Sequence, residues 1–376
     1  MKIVHICPYD MTRPGGVQRH VRDFAAWLNG EGHASRILAP PAPGQRTKPP
    51  GEVIEIGTSR AVNVHGTGFE VSWAPTRQRR AWARELHAWG ADLIHMHTPW
   101  TPLLTWQMWR ALRLPTVATV HATLPAADAR GPVDRYIRWA ARRILPQVQA
   151  VVVPSASPQP LLERLIPGLQ TVVLPPSVDL APWRDAAGGR VRQECLHLAF
   201  LGRLEPRKGV DILLQAWPRI ADALPRARLT IAGDGPMRAR VEAAVSDRLR
   251  FLPRPEDAAA CRLLAETDVF LAPAPYGESF GLVLTEAMSA GALPVAAANS
   301  GYASVLTGDG AGLLVPPGDA AALASRVVAL ARDPQQQAQL GAWARSEARR
   351  HDIASTGPRY LDLFETVLAG TPAPAD

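Results

Sequence analysis

The chain has 376 residues, of which 47% are hydrophobic and 20% charged, with a formal net charge of +7. This balance is enough for two folded domains and excludes disorder over most of the length. The charge is split: residues 1–192 hold 23 Lys and Arg against 13 Asp and Glu (+10), residues 193–376 hold 18 against 21 (−3), and the two sum to +7.

A basic first half calls for an anionic partner, either nucleic acid or an acidic membrane surface. Cys7, Cys195 and Cys261 lie far apart with no C-x-x-C pair. They signal neither a disulfide framework nor a zinc site, and a reducing cytosol fits.

The opening strand KIVHIC is a brief apolar run broken by His5 and Pro8, too short for a signal peptide. In YDMTRPGGVQRHV, Pro14-Gly15-Gly16 opens the helix VQRHVRDFAAWLNGEG. Paired glycines allow a ligand to approach the backbone and leave first-turn N–H groups for it; a plain tight turn is the alternative. The pattern is not G-x-G-x-x-G, and no acid ends the next strand, ASRILAP, so a dinucleotide dehydrogenase is disfavoured. PPAPGQRTKPPGE (40–52) reads as a solvated connection.

TRQRRAWARELHAW (76–89) sets Arg77, Arg80 and Arg84 at helical spacing near Trp82 and Trp89, and RYIRWAARRI (135–144) repeats the mixture. Arginine with tryptophan on a helix suits the headgroup region of an anionic membrane; the alternative is a solvated helix whose tryptophans pack on the sheet. No nucleic-acid motif accompanies the charge, so nucleic acid is disfavoured. ADLIHMH, the helical TPLLTWQMWRALR, PTVATVH and QAVVVPS complete a βαβ series. His121 ends PTVATVH, where a doubly wound sheet faces its ligand, although a lone histidine there can equally be structural.

PPSVDLAPWRDAAGGRVRQE, near 176–195, reads as a linker. The alternation restarts at LHLAFLG and runs through VDILLQAWPRIADALP, ARLTIAG, LRFLP, a helix at 256–266, DVFLAPA and LPVAAA. Two doubly wound domains are expected, 1–185 with a returning C-terminal segment 354–376, and 190–353, with ligand in the cleft between them. TPAPAD ends the chain as a disordered tail. The most apolar long segment, Gly281–Ala298, carries Glu286 and Pro294 and does not read as a membrane span.

In FLGRLEPRKGVDIL, Arg203 and Lys208 flank a turn between strand and helix, suited to a departing diphosphate or merely to a surface loop. YGESFGLVLTEAMSAG (276–291) is a glycine loop feeding a helix that Gly291 ends. Its helix N-terminus favours an anion, with Glu278 at the loop tip and Glu286 a turn and a half into the helix. An ordinary buried helix is the other reading. There is no Asp-x-Asp pair, so no metal-dependent diphosphate site of that type is supported, and neither metal nor cofactor is expected.

Together, PGGVQ, GRLEPRKG and ESFGLVLTEAMSAG with its Glu-x7-Glu spacing resemble retaining glycosyltransferases of the GT-B type, across nearly the whole chain. CPY…PGGVQ, the H-T-P segment after ADLIHMH and SGYASVLTGDGAGLLVPPGD are similar to bacterial phosphatidylinositol mannosyltransferases.

The resemblance implies hexose transfer from a nucleotide diphosphate sugar to a lipid or glycan acceptor, at the cytoplasmic membrane face. It implies that Arg203 and Lys208 neutralise the leaving diphosphate and that Glu278 holds the sugar hydroxyls. The backbone of Ser279, Phe280, Gly281 and Leu282 would cradle the distal phosphate, and Glu286 would hold the ribose. Gly15 and Gly16 would close on the diphosphate, His121 would lie beside the sugar, and Tyr9 and Gln18 would sit on the acceptor side with Arg77, Arg80 and Arg84. A soluble glycan acceptor, a nucleotide-sugar epimerase and a silent binding module on the same fold are the competing expectations.

Overall fold

The computed structural model describes residues 1–42, 53–64, 67–100, 103–121, 131–189 and 195–370. They divide into two compact units, Met1–Val178 with Ile353–Asp376, and Asp179–Asp352. The stretches 43–52 and 371–376, which hold most of the proline-rich connection and the terminal tail, lie outside the described residues.

The first unit begins β1 (Lys2–Ile6), α1 (Gly16–Gly30), β2 (Ala34–Ala39) and β3 (Val53–Glu55). A hairpin follows, β4 (Thr58–Val64) and β5 (Thr67–Trp73), then α2 (Thr76–Trp89), β6 (Leu93–His97), α3 (Leu104–Leu112) and β7 (Thr116–Thr119). It continues with α4 (Pro132–Ile144), β8 (Ala150–Val153), α5 (Gln159–Leu165) and β9 (Val172–Val173). The second unit contains α6 (Ala181–Gly188), β10 (His197–Leu201), α7 (Val210–Ala223), β11 (Arg228–Gly233), α8 (Arg238–Glu242) and β12 (Leu249–Pro253). It ends with α9 (Asp257–Glu266), β13 (Val269–Ala272), α10 (Leu282–Ser289), β14 (Leu293–Ala297), α11 (Ser300–Ala303), β15 (Leu314–Val315), α12 (Ala320–Ala331) and α13 (Pro334–Arg350). The last helix, α14 (Ile353–Leu368), belongs to the first unit.

Both sheets are parallel, in the orders β3-β2-β1-β6-β7-β8-β9 and β12-β11-β10-β13-β14-β15. In each, the winding reverses beside the first strand, at β1/β6 and at β10/β13. Loops at the carboxyl ends diverge there and leave room for a ligand.

The strands of the first unit are buried on both faces, and their side chains alternate between two cores. Val4, Ile6, Ile94, Met96, Ala118 and Val120 face one layer, where Ala83 and Leu86 of α2 and Ala140 and Ala141 of α4 pack. Ile3, Leu93 and Val117 face the other, against Phe24 and Leu28 of α1 and Tyr360 and Phe364 of α14. Burying one such aromatic side chain contributes about 2–3 kcal/mol.

The linker reading near 176–195 needs correction. Ala181–Gly188 is a helix whose Trp183 is 2% exposed, packing in the second unit near α9 and α10, and the two compact units divide after Val178. Proline in its first turn, where no N–H is missed, hid the helix among turn signals.

Candidate active site

In the second unit, β10 runs into Gly202 and a short turn, Pro206–Lys208, before α7, while β13 runs into the loop before α10. Because β10 pairs with β13, the two loops are neighbours. Gly209 makes their approach possible: its φ is +74°, and a Cβ there would run into the carbonyl oxygen of Pro273.

The two loops are joined by charge. Lys208 Nζ donates to Glu278 Oε1 at 2.6 Å. Arg207 lies 3.7 Å from the same oxygen, donates to the Gly277 carbonyl at 3.2 Å, and reaches Glu205 at 3.5 Å. Arg203 pairs with the other Glu205 oxygen at 2.5 Å. Glu205 is 1% exposed, a buried carboxylate held by two guanidinium groups. Three cations against two carboxylates leave one net positive charge in the cluster.

The loop before α10 is held from a third side. Asn299 caps α11 by accepting from the Tyr302 N–H and donates to the Ala274 carbonyl at 2.7 Å. A Cβ at Gly301 would strike the Glu278 carbonyl, so glycine lets α11 press on the loop. Tyr302 is buried here, and burial, with the Glu278 charge second and Arg207 opposing, pushes its hydroxyl well above the ordinary tyrosine range. Phe280 is buried edge-on to His351, so it reaches a ligand with backbone alone. Glu286 stands partly exposed in the second turn of α10.

The helices α1, α7 and α10 start after Gly15, Gly209 and Gly281, as α4 does after Gly131, none with a side-chain cap. The helices α2, α3, α5, α6, α8 and α9 likewise have no side-chain cap. By contrast α11, α12 and α13 start after Asn299, Asp319 and Asp333, each capped by its own side chain. An uncapped first turn leaves N–H donors and the positive dipole end for an anion.

In the first unit, Gly15 and Gly16 begin α1, and Gln18 of its first turn donates to the Asp10 carbonyl at 3.3 Å. Tyr9 packs beside the Cys7, Met11 and Val21 cluster. The β1/β6 register sets His5 opposite His95, and β6/β7 sets His97 opposite Thr119. With period-two alternation, His5, His95, His97 and His121 therefore share the sheet face covered by α1 and α14, and His20 reaches it from α1.

Five imidazoles thus meet where one histidine was expected. His97 Nδ1 is 2.9 Å from His121 Nε2, and His95 Nε2 is 2.8 Å from the Thr119 hydroxyl. Burial lowers His5 to about 3, helped by His20, and lowers His20 to about 4 against the opposing Ser177 hydrogen bond. Burial, followed by repulsion from neighbouring imidazoles, lowers His95, His97 and His121 well below their ordinary value. All five are neutral at pH 7.

Arg203, Lys208 and Glu278 are therefore brought together, while the α2 arginines are not part of either cluster. Arg77, Arg80 and Arg84 are exposed on a helix that covers the opposite sheet face from the imidazoles. Trp82 and Trp89 pack against the core, and Arg36 stacks on Trp89 at 4.4 Å. On α4 the arrangement differs: Trp139 is 56% exposed beside exposed Arg135, Arg142 and Arg143. The sequence reading assigns no role to Arg207, Glu205 or the imidazoles other than His121. Arg207 sits inside the GRLEPRKG motif, and the period-two pair His95 and His97 on β6 was the available signal for the cluster.

Two doubly wound units of this strand order define the GT-B class of glycosyltransferases. Family models agree: Glycosyltransferase Family 4 matches residues 14–182 and Glycosyl transferases group 1 matches residues 196–333. Phosphatidyl-myo-inositol mannosyltransferase of Mycolicibacterium smegmatis is 32% identical over 374 residues, covering 98% of this chain and 94% of the relative. D-inositol 3-phosphate glycosyltransferase of Corynebacterium efficiens is 32% identical over 302 residues, 73% of this chain and 70% of the relative. Among solved structures, Anabaena HepE in complex with UDP and glucose superposes with a TM-score of 0.75 at 20% identity, covering 97% of this chain and 100% of that one. Sucrose-phosphate synthase from Thermosynechococcus elongatus gives 0.75 at 22%, covering 98% and 100%. The chain belongs to the glycosyltransferase family that includes the phosphatidyl-myo-inositol mannosyltransferases.

Proposed function

We propose that this glycosyltransferase moves a hexose, with retention, from a nucleotide diphosphate sugar to an inositol-bearing lipid at the cytoplasmic face of a membrane. The observation that carries the reading is the ion-paired cluster of Arg203, Arg207 and Lys208 with Glu205 and Glu278 at the β10/β13 switch point. A diphosphate carries the charge that such a cluster lacks. As it binds, Lys208 turns from Glu278 to phosphate oxygens, and the released carboxylate accepts from the sugar hydroxyls. The first-turn N–H groups of α10 meet the distal phosphate, and Glu286 holds the ribose.

During transfer the bond from the sugar C1 to the leaving oxygen breaks and negative charge grows on the diphosphate. Arg203 and Lys208 stabilise that charge more in the transition state than in the ground state, which is the main catalytic contribution. The acceptor hydroxyl attacks C1 from the same face and gives its proton to the departing phosphate, so no protein nucleophile is required.

The acceptor belongs to the first unit, whose basic surface suits an anionic lipid layer. The exposed face of α4, with Trp139 between arginines, is a better membrane contact than α2, whose tryptophans serve the core. No helix among the described residues is long and apolar enough to cross a membrane. A soluble inositol phosphate acceptor is a second reading, favoured by the relative that carries that name.

Purified chain is offered GDP-mannose, UDP-glucose and UDP-N-acetylglucosamine, with phosphatidylinositol vesicles or soluble inositol phosphate. Lipid-dependent sugar transfer from one donor, lost in Glu278→Ala, is expected. No turnover with any pair would overturn the reading, and epimerised donor without released nucleotide would replace it.

A further inference from the structure

We propose that His20, His97 and His121 form a three-imidazole site for a divalent transition-metal ion of the zinc class. The site lies within the first unit, and the inference does not rest on the glycosyl-transfer reading.

The protonation of His20 decides the matter first. Its Nδ1 lies 3.0 Å from the Ser177 carbonyl oxygen, which can only accept, so Nδ1 carries the proton. Nε2 therefore holds a bare lone pair. That atom is fully buried and has no hydrogen-bond partner. A buried acceptor left unmatched forfeits its hydration with nothing in return, and such a group calls for an occupant. Three partial explanations compete: a water, a proton shared with a neighbour, or a cation.

Its surroundings favour the cation. One nitrogen from each of His20, His97 and His121 lies within 4.8 Å of the other two. Zinc–nitrogen bonds of about 2.0–2.1 Å in a tetrahedral site set ligand nitrogens about 3.4 Å apart, so small rotations of the rings suffice. His97 and His121 already approach to 2.9 Å, where an ion in place of the shared proton would push them slightly apart. A water would gain acceptors but few donors among three neutral rings. Imidazole nitrogens suit zinc, copper and nickel, and a ligating histidine usually donates its other N–H to a backbone carbonyl, as His20 does to Ser177.

The supports of the site are rigid. His20 stacks on Phe24 at 5.7 Å and meets Tyr360 at 5.6 Å, and His97 is pinned in β6. His121, at the carboxyl end of β7, is partly exposed, whereas His20 and His97 are buried, so an ion and a fourth ligand would come from its side. Three neutral imidazoles leave the ion its full charge, so a fourth ligand would be an oxygen donor such as water, hydroxide or phosphate. A second triad, His5, His95 and His97, shares His97 but is buried on every residue, so it lacks such a side.

The test uses the full chain, stripped with chelator and then dialysed against zinc chloride or cobalt chloride. Expected are about one zinc per chain by mass spectrometry, and visible d–d absorption of low-coordinate cobalt. Tm should rise by about 5 °C at one-hundred-fold excess over Kd. His20→Gln should weaken binding by at least about a hundredfold with native circular dichroism. Should His20→Gln fail to fold, His121→Asn at the partly exposed position carries the same expectation. Wild-type chain that keeps no ion and shows no shift would overturn the proposal. So would full binding in both folded variants, or binding lost only in His5→Gln, which would reassign the ion to the other triad.

Discussion

The two switch points solve the same topological problem with opposite chemistry. At β10/β13, charged groups from loops seventy residues apart in sequence pair with one another. At β1/β6, neutral imidazoles fill the sheet face itself, and their charge is suppressed by burial. The difference teaches where each unit keeps its reserve. The second unit holds charge that a diphosphate can use, and the first holds lone pairs that a proton or a cation can use.

Breaking the charged side has the largest expected effect. Lys208→Met should lower kcat by about 10³-fold, on the order of 4 kcal/mol, with little change in Tm, measured as nucleotide release from the productive donor. A similar loss is expected for Arg203→Ala, whereas Arg207→Ala should fall between them and a surface arginine because it positions Glu205 and Glu278.

Acid should break the imidazole side instead. The folded chain keeps His20 neutral to about pH 4, whereas the unfolded chain takes its proton near 6.5. Between those values the unfolded state binds more protons, so stability falls as pH drops through that window and is constant from this source above it. His20 alone accounts for on the order of 3 kcal/mol when fully titrated. Urea unfolding in chelator at pH 7.5 and pH 5 checks it: a first unit more stable at pH 5 would contradict the assignment.

Gly209→Ala tests the geometry under the charged cluster. The new Cβ meets the Pro273 carbonyl in a left-handed backbone, and a loss of about 2–4 kcal/mol in denaturant unfolding is expected. The smallest effect is on α4. Trp139→Ala with Arg142→Ala should weaken flotation with anionic vesicles by about 1 kcal/mol per cation and leave stability within about 0.5 kcal/mol.

Much of this was legible in the residues. The helices of 16–30 and 76–89 follow from apolar spacing and from Gly90 as a left-handed cap, and Gly281 and Gly291 bracket α10 as the loop-to-helix reading expects. The β4/β5 hairpin escaped because the sequence reading places no element between the connection at 40–52 and the helix at 76–89. Which groups touch was not legible either. The Lys208–Glu278 pair depends on β10 lying beside β13, and the imidazole cluster depends on the register of three strands and one helix. Single histidines at positions 5 and 20 carry no pattern until those neighbours are known, and His121 was legible only as the end of its strand.

The central claim is that the β10/β13 switch point holds a nucleotide diphosphate through Arg203 and Lys208. Calorimetric titration of GDP and UDP into the wild-type chain and into Lys208→Met tests it most directly. The account predicts about one nucleotide bound per wild-type chain and binding weakened by about 10–100-fold in the variant. Equal affinity in the two proteins, or no binding of either nucleotide to the wild type, would contradict it.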